Sequence, residues 1–302
     1  MAKRIVLFAD GGDSWHRGRL LRAFRRAGVE PVVASLCDVD VVVEPGSWGL
    51  RIPGLRGGPP DAVLVRTVAG GGFEPVTLRL DALHALSALG VPVVNPARAI
   101  ERCVDKAMTS FRLHLAGLPT PPTFASESQD RAAAHLHRAL ERGEALVQKP
   151  LFGSQGRGLR RLERGDALEE GEGVRYLQRF VAGAGDGYRD WRVFVIGGRS
   201  AAAMMRVGRG WITNVHQGAT CHPAHGDSEL ETLAVAAAAA VGAEYAGVDV
   251  IRDADGRAFV LEVNSMPAWR GLQSVTGTDI AAALVEHVLG RAVTGGAGDD
   301  PG

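Results

Sequence analysis

The sequence predicts an α/β protein in which a parallel sheet is followed by smaller mixed sheets. Three observations carry that expectation. Short apolar runs alternate with helical periodicity through the first third of the chain. A strand, a glycine-rich turn and a second strand follow in the middle, and the last third pairs strands across a short Asp/Gly turn.

Ile5 opens the first apolar run, which ends at Asp10-Gly11-Gly12. Leu20, Leu21 and Phe24 then recur at core spacing in a helix predicted over residues 15–27. Further β runs at 31–35, 61–65 and 91–94 accompany a helix over 75–89, and such alternation makes a parallel sheet covered by helices. The Gly/Pro-rich stretch 45–60 reads as a long loop, and Asn95-Pro96 as a break, because proline pushes its predecessor out of the helical region. Helices are expected over 105–116, closed by Gly117 and Pro119, and over 128–142. Strands follow at 145–149, 158–162, 175–181, 191–196, 200–206, 246–251 and 258–263, with helices at 228–241 and 278–289. The expected division is 1–95, 96–177 and 178–292, with 293–302 a disordered tail. No internal repeat is visible.

At 302 residues, with 46% hydrophobic and 23% charged residues, the chain suits a soluble protein of two or three domains. Lys+Arg and Asp+Glu are both 34, and no basic patch is interleaved with aromatics, so neither nucleic acid nor an anionic membrane is an expected partner. Cys37, Cys103 and Cys221 are odd in number and widely spaced, which fits a reducing compartment and no disulfide frame or structural zinc. The N-terminal apolar run is too short for a signal peptide, and the alanine-rich run at 234–241 too short for a membrane span. A cytoplasmic location is expected.

Only three lysines occur among 34 basic residues: Lys3, Lys106 and Lys149. Lysine in an arginine-rich chain marks places where a compact ammonium is needed rather than a planar fork. Lys3 reads as a solvated charge and Lys106 opens a helix. Lys149 stands just before Gly153-Ser154-Gln155-Gly156-Arg157-Gly158, where residues without Cβ let backbone N–H groups crowd an anion. The loop lacks the Gly-Lys-Ser/Thr of a Walker A sequence and precedes a strand, so it is no dinucleotide fingerprint either. Alone it reads first as a plain flexible hairpin turn; with Lys149 before it, it takes the form of a flap over a triphosphate.

Glu262 and Asn264, two apart in one strand, point to the same side, and the turn Asp253-Ala254-Asp255-Gly256 folds Asp249 back beside them. Val248, Val250, Leu261 and Val263 fill the alternate positions, so the polar residues are expected on one face. Two carboxylates and an amide oxygen suit Mg²⁺, which takes hard oxygen ligands shared with phosphates. A solvated polar face is the alternative.

Taken together these features resemble the ATP-grasp superfamily and, within it, the RimK-type glutamate ligases. The similarity rests on Lys106, on Lys149-Pro150 with its glycine flap, and on Tyr176-Leu177-Gln178-Arg179-Phe180-Val181. It rests also on Asp190-Trp191-Arg192, Asn214-Val215-His216-Gln217-Gly218, Asp249, and Glu262-Val263-Asn264-Ser265-Met266-Pro267. The resemblance implies an ATP-grasp fold: an N-terminal parallel-sheet, Rossmann-like pre-ATP-grasp domain, a central flap domain and a C-terminal mixed α/β metal-binding domain. It implies an ATP-dependent carboxylate–amine ligase working through an acyl phosphate. Lys106, Lys149 and the flap residues Gly153, Ser154, Gln155, Gly156 and Gly158 would meet the ATP phosphates. Gln178, Arg179, Phe180 and Val181 would form the hinge against adenine, and Asp190 would hold the ribose region or a neighbouring loop. Mg²⁺, with Mn²⁺ able to substitute, would sit on Asp249, Glu262 and Asn264. Arg192, Arg206 and Asn214 would surround the γ-phosphate and the acyl phosphate as the catalytic set.

Two positions depart from the family pattern: Arg179 stands where an acid usually follows the hinge glutamine, and Ile212-Thr213-Asn214 replaces Arg-Ser-Asn. For substrate, Arg66 follows a β run at the end where parallel sheets meet ligands, and it suits either a carboxylate contact or a surface position. His216, Trp269 and Arg270 are the other substrate candidates, though core packing is the more frequent use of a tryptophan. The stretches around 150–158 and 264–273 are similar to the branch that adds glutamate to pterin cofactors such as tetrahydromethanopterin. The expected partners are therefore a small carboxylate acceptor and L-glutamate, and a homo-oligomer is compatible with the sequence. Glutamylation of a ribosomal-protein C-terminus, amide formation on an amino-group carrier protein, a small-molecule kinase and a silent nucleotide-binding module are the alternatives.

Overall fold

The computed structural model describes residues 3–12, 14–153, 156–169, 173–183, 187–224 and 226–294. Ser154, Gln155 and the tail from 295, named above, lie outside them.

The first segment runs β1 (Ile5–Phe8), α1 (Ser14–Arg26), β2 (Val32–Ala34), β3 (Asp40–Val42), β4 (Gly49–Arg51), β5 (Ala62–Val65), α2 (Phe73–Ala88) and β6 (Val93–Val94). Its sheet has the order β2-β1-β5-β6, and every pairing in it is parallel. Strand alternation divides the core in two. Ile5, Leu7, Ala62 and Leu64 face α1, while Val6, Phe8, Val63 and Val65 face α2. The stretch 45–60 is not all loop: β4 within it pairs antiparallel with β3, bringing Leu50 and Ile52 into the α2 side of the core.

Next come α3 (Ala97–Val104), α4 (Lys106–Leu115), β7 (Thr123–Ser126), α5 (Gln129–Glu141), β8 (Leu146–Lys149), β9 (Arg160–Leu162) and β10 (Arg175–Arg179). The helix α3 replaces the expected break after Pro96. Antiparallel pairing gives the order β7-β10-β8-β9, with the glycine loop joining β8 to β9 at one edge.

The last segment contains β11 (Tyr188–Ile196), β12 (Arg199–Gly208), β13 (Thr220–Pro223), α6 (Ser228–Val241), β14 (Tyr245–Arg252), β15 (Ala258–Asn264), α7 (Arg270–Gln273) and α8 (Ile280–Thr294). Its antiparallel sheet has the order β13-β12-β11-β14-β15. One face buries Val193, Val195, Val248, Val250, Val260 and Val263 under the alanine-rich α6, whose small side chains allow close approach. Asp227 caps the start of α6 and Gly242, in the left-handed region, ends it.

Packing crosses the expected boundary at residue 95. Ile280, Leu284 and Val288 of α8 complete the core between α1 and the first sheet. Asn95, wholly buried, donates to Tyr245 O and Ser265 O and accepts from the backbone N–H groups of Glu244 and Tyr245. No described helix is long and apolar enough to cross a membrane.

Candidate active site

The polar face of the last sheet is set by two β-bulges. Simple extension of the β14–β15 hairpin from Val250↔Val260 would put Asp249 opposite Leu261. The register slips by one residue between Asp249 and Val250, so Asp249 faces Glu262 instead. Leu261, expected on the apolar face, is the extra residue of this bulge and lines the same cleft as Glu262. A second slip, between Phe194 and Val195, places Asp190 opposite Arg206 across β11 and β12. Without it Met205 would stand there.

These registers assemble a buried ionic cluster. Arg192 donates from Nε to Asp249 Oδ1 and from Nη2 to Oδ2, each at 2.7 Å. Arg206 Nη2 lies 2.9 Å from Asp249 Oδ2, and its Nε donates to Asp190 Oδ1 at 2.8 Å, while Nη2 also bonds Asp190 Oδ2. Two guanidiniums thus balance two carboxylates with a fork geometry that lysine could not reproduce. Burial alone would raise the Asp249 pKa, but Arg192 and Arg206 outweigh it and hold the carboxyl well below the usual range. Burial likewise works against the Arg206 charge, and Asp249 and Asp190 overcome it.

Asn264 Nδ2 donates to Glu262 Oε1 at 3.0 Å and toward Gly247 O at 3.4 Å, so its amide oxygen is the atom left to meet a cation. Among the described residues no group of three or more His, Cys, Asp or Glu could hold a metal ion. The candidate set is two carboxylates and an amide, all hard oxygens of the kind Mg²⁺ takes, so its chemistry suits that ion, while both Asp249 oxygens are engaged by Arg192 and Arg206.

Asp105 caps α4, its Oδ1 accepting from the N–H groups of Ala107 and Met108, which fixes Lys106 as the first helical residue. Lys106 Nζ donates to Gly153 O at 2.8 Å and Leu151 O at 3.3 Å, reaching the root of the flap. Lys149 Nζ donates to Gln178 Oε1 at 2.6 Å. Burial lowers the pKa of both ammoniums, and Glu262 opposes that in each case. Gly156 has φ +70°, and a Cβ there would stand 2.7 Å from Asn214 Oδ1 and 2.9 Å from Ile212 Cγ2. Gly158 has the same φ, and its Cβ would meet Pro150 Cγ at 2.9 Å. Both therefore require glycine, and the flap tip is docked by Gln217 Nε2 donating to Gly156 O at 3.1 Å.

The flap, hinge and polar sheet face line one cleft open to solvent. Lys106, Lys149, Asp190, Arg206, Asp249 and Glu262 supply charge to its lining. Val147, Leu159, Phe180, Val181, Trp211 and Ile251 supply apolar and aromatic surface of the kind that suits a flat base. Arg161 stacks on Phe180, with Cζ 4.0 Å from the ring centroid, and Trp211 meets Phe180 edge-on.

A cleft between a glycine flap and a carboxylate-bearing sheet is matched at the level of sequence by the model of the RimK-like ATP-grasp domain, over residues 104–288. The chain belongs to the RimK-like ATP-grasp family. Within this family it is similar to the tetrahydromethanopterin:alpha-L-glutamate ligase of Methanococcus maripaludis, 37% identical over 211 residues, covering 67% of this chain and 70% of that one. The ligase of the same name from Methanocaldococcus jannaschii is 35% identical over 240 residues, covering 76% and 79%. In fold the chain is similar to the ATP-grasp ligase PsnB, solved with a phosphomimetic variant of its minimal precursor, Mg and ADP. The TM-score is 0.77 at 22% identity, covering 97% of this chain and all of that one. The RimK-like ATP-grasp chain described here is thus an ATP-dependent ligase of the carboxylate–amine class.

Lys106, Lys149, Gly153, Gly156, Gln178, Arg179, Phe180, Val181, Asp190, Arg206, Asn214, Asp249 and Glu262 all line the one cleft. Arg192 reaches it only through Asp249, and Asn264 lies on a neighbouring cleft that shares Lys106 and Glu262. The expected acceptor residues fare differently. Trp269 is fully buried in the core against His16 and Phe194, which corrects its reading as a pocket wall. Arg66 is buried too, donating to Met266 O with its guanidinium over the Trp269 ring, so it is not the surface residue of the alternative reading and it braces the chain after β15. His216 and Arg270 are exposed and line neither cleft, Arg270 lying over Trp15. Sequence reasoning missed Trp211, which no periodicity marks, and Gln217, whose only signal is its place in the Asn214–Gly218 match.

Proposed function

We propose that this chain joins the amine of L-glutamate to a carboxylate on a small acceptor of the pterin-cofactor type, using ATP. The observation that carries the reading is the convergence of Lys106, Lys149, Arg206 and Glu262 in one cleft that Val147, Phe180, Val181 and Trp211 also line. An acceptor carboxylate oxygen attacks the γ-phosphorus of ATP, breaking the bond to ADP and leaving an acyl phosphate. The glutamate amine then attacks the acyl carbon, phosphate leaves with the bonding pair, and the amine loses a proton to form the amide. Such transfers depend on positioning and charge neutralisation rather than a protein nucleophile. Lys106 and Lys149 supply compact, partly desolvated cations for the phosphates, Arg206 a buried guanidinium, and Asn214 a neutral amide under the flap. Asp249, Glu262 and Asn264 would hold Mg²⁺, with Mn²⁺ as a substitute, to offset the charge of the phosphate oxygens. The flap over Gly156 and Gly158 excludes water that would hydrolyse the acyl phosphate. Arg179 meets the base through its backbone, since its guanidinium is directed to the Phe259 ring.

The relatives in Methanococcus and Methanocaldococcus support the pterin acceptor by their names. The test is ADP release from purified protein with ATP, Mg²⁺ and L-glutamate across a panel of carboxylate acceptors, with mass spectrometry of the products. An acceptor gaining one glutamate in step with ADP upholds the reading. A phosphorylated acceptor with no glutamate incorporated would replace it with a kinase.

A further inference from the structure

Behind the cleft wall a buried chain of hydrogen bonds connects the elements that carry the two phosphate-facing lysines. Lys149 Nζ donates to Gln178 Oε1 at 2.6 Å. Gln178 Nε2 donates to Tyr176 Oη at 3.2 Å and toward Thr123 Oγ1 at 3.4 Å, and Tyr176 Oη lies 2.8 Å from Ser110 Oγ. Gln178 and Tyr176 are each 1% exposed and Ser110 is 7% exposed, so water does not substitute freely for any link.

The chemistry of the groups fixes the direction of the bonds that Gln178 makes. An ammonium only donates, so Gln178 presents its carbonyl to Lys149. Its amide hydrogens then face Tyr176 and Thr123. The tyrosine oxygen accepts from Gln178 and shares a hydrogen bond with Ser110 in which either hydroxyl can donate. Burial raises the Tyr176 pKa, which keeps it a phenol able to donate. Ser110 stands one turn along α4 from Lys106, on the same side of the helix.

We propose that Tyr176 and Ser110 are positioning residues for the ligase reaction: they lock the Gln178 amide so that Lys149 is held by one N–H and offers the other two to phosphate, and they tie Lys149 to the helix that begins at Lys106. Without the tyrosine hydroxyl the buried Gln178 Nε2 keeps only its long contact to Thr123 Oγ1, so the amide is less firmly placed and holds Lys149 less firmly. The proposal rests on the reading of Lys149 as a phosphate contact.

Three variants test it: Tyr176→Phe, Ser110→Ala and Tyr176→Phe in a Gln178→Leu background. Lysine held equally in ground and transition states contributes to KM, not kcat. Tyr176→Phe should therefore raise the KM for ATP about tenfold, the scale of one hydrogen bond to a charged group, with kcat little changed. In the Gln178→Leu background it should add nothing further, because Tyr176 acts through Gln178. Additive losses in the double variant, or an unchanged KM in Tyr176→Phe, would overturn the proposal. The chain has three lysines, so ¹³Cε-lysine NMR resolves each one, assigned with Lys3→Arg and Lys106→Arg. In the nucleotide-free protein the Lys149 ε-methylene should be rigid, and mobile in Tyr176→Phe or, should that variant not fold, in Ser110→Ala. Unchanged rigidity overturns the tether. If ATP moved no lysine resonance in the parent protein, the phosphate-contact reading would fail, while the mobility result would still decide the tether.

Discussion

Gly156→Ala separates the geometry of the flap from its mere flexibility. With φ at +70°, an alanine at this position carries the left-handed cost of about 1–2 kcal/mol. Its Cβ would also sit 2.7 Å from Asn214 Oδ1 and 2.9 Å from Ile212 Cγ2, closer than real Cβ contacts come. The loop can relieve both by lifting away from Asn214, so the thermal midpoint should hardly move. Binding ATP must then pull the loop back, and the relieved strain returns as lost affinity of roughly 5–30-fold. Calorimetric titration with a non-hydrolysable ATP analogue and Mg²⁺ reads this without any knowledge of the acceptor. Gly143→Ala is the control: its φ is +77° but nothing lies within 4 Å of the added Cβ. It should lower stability by a similar strain and leave nucleotide affinity alone. Wild-type affinity in Gly156→Ala, or an equal loss in Gly143→Ala, would refute the close-approach argument.

Lys149→Ala should weaken ATP binding and raise the KM for ATP beyond the effect of Tyr176→Phe, measured by titration and ADP release; an unchanged KM and affinity would remove Lys149 from the site. Glu262→Ala should eliminate Mg²⁺-dependent turnover at an unchanged circular dichroism spectrum, and retained activity would point the metal elsewhere. Arg206→Met leaves two buried carboxylates facing one guanidinium, a loss of about 3–5 kcal/mol, and should lower the melting temperature by roughly 10 °C. For pH, the folded Asp249 carboxyl is held below its unfolded value of about 3.9, so its stabilisation is complete above that pH and is lost as pH falls below it. Melting curves between pH 6 and 3 should drop more steeply for the parent than for Asp249→Asn; parallel curves would contradict the assignment.

Much of this site could be read in the sequence because its signals are local. Glu262 and Asn264 share a strand face by period alone, and the Asp253–Gly256 turn is written in its residues. Helix α6 was legible to its ends because an acid cap and a terminal glycine bracket it. What could not be read depends on register. Neither the Asp190–Arg206 pair nor the facing of Asp249 and Glu262 follows from the hairpin turns. Each needs a one-residue slip that no local residue announces. Trp269 misled for the same reason: an aromatic after a polar strand has no periodicity to reveal that α1 and α8 close over it. Helix α3 and strand β7 were missed because eight and four residues, next to prolines, are too short to show a period.

The return of α8 onto the first sheet has a consequence for synthesis. Ile5, Leu7, Leu20 and Phe24 leave the ribosome early, yet the side chains that cover them, from Ile280 to Val288, come last among the described residues. The nascent Rossmann-like unit therefore keeps an apolar flank uncovered until residues 280–288 have emerged, and exposed apolar surface of that kind is what chaperones of growing chains bind. Proteolysis of ribosome-bound intermediates would show it: chains stalled before residue 278 should be cut within α1, and released full-length chains should not.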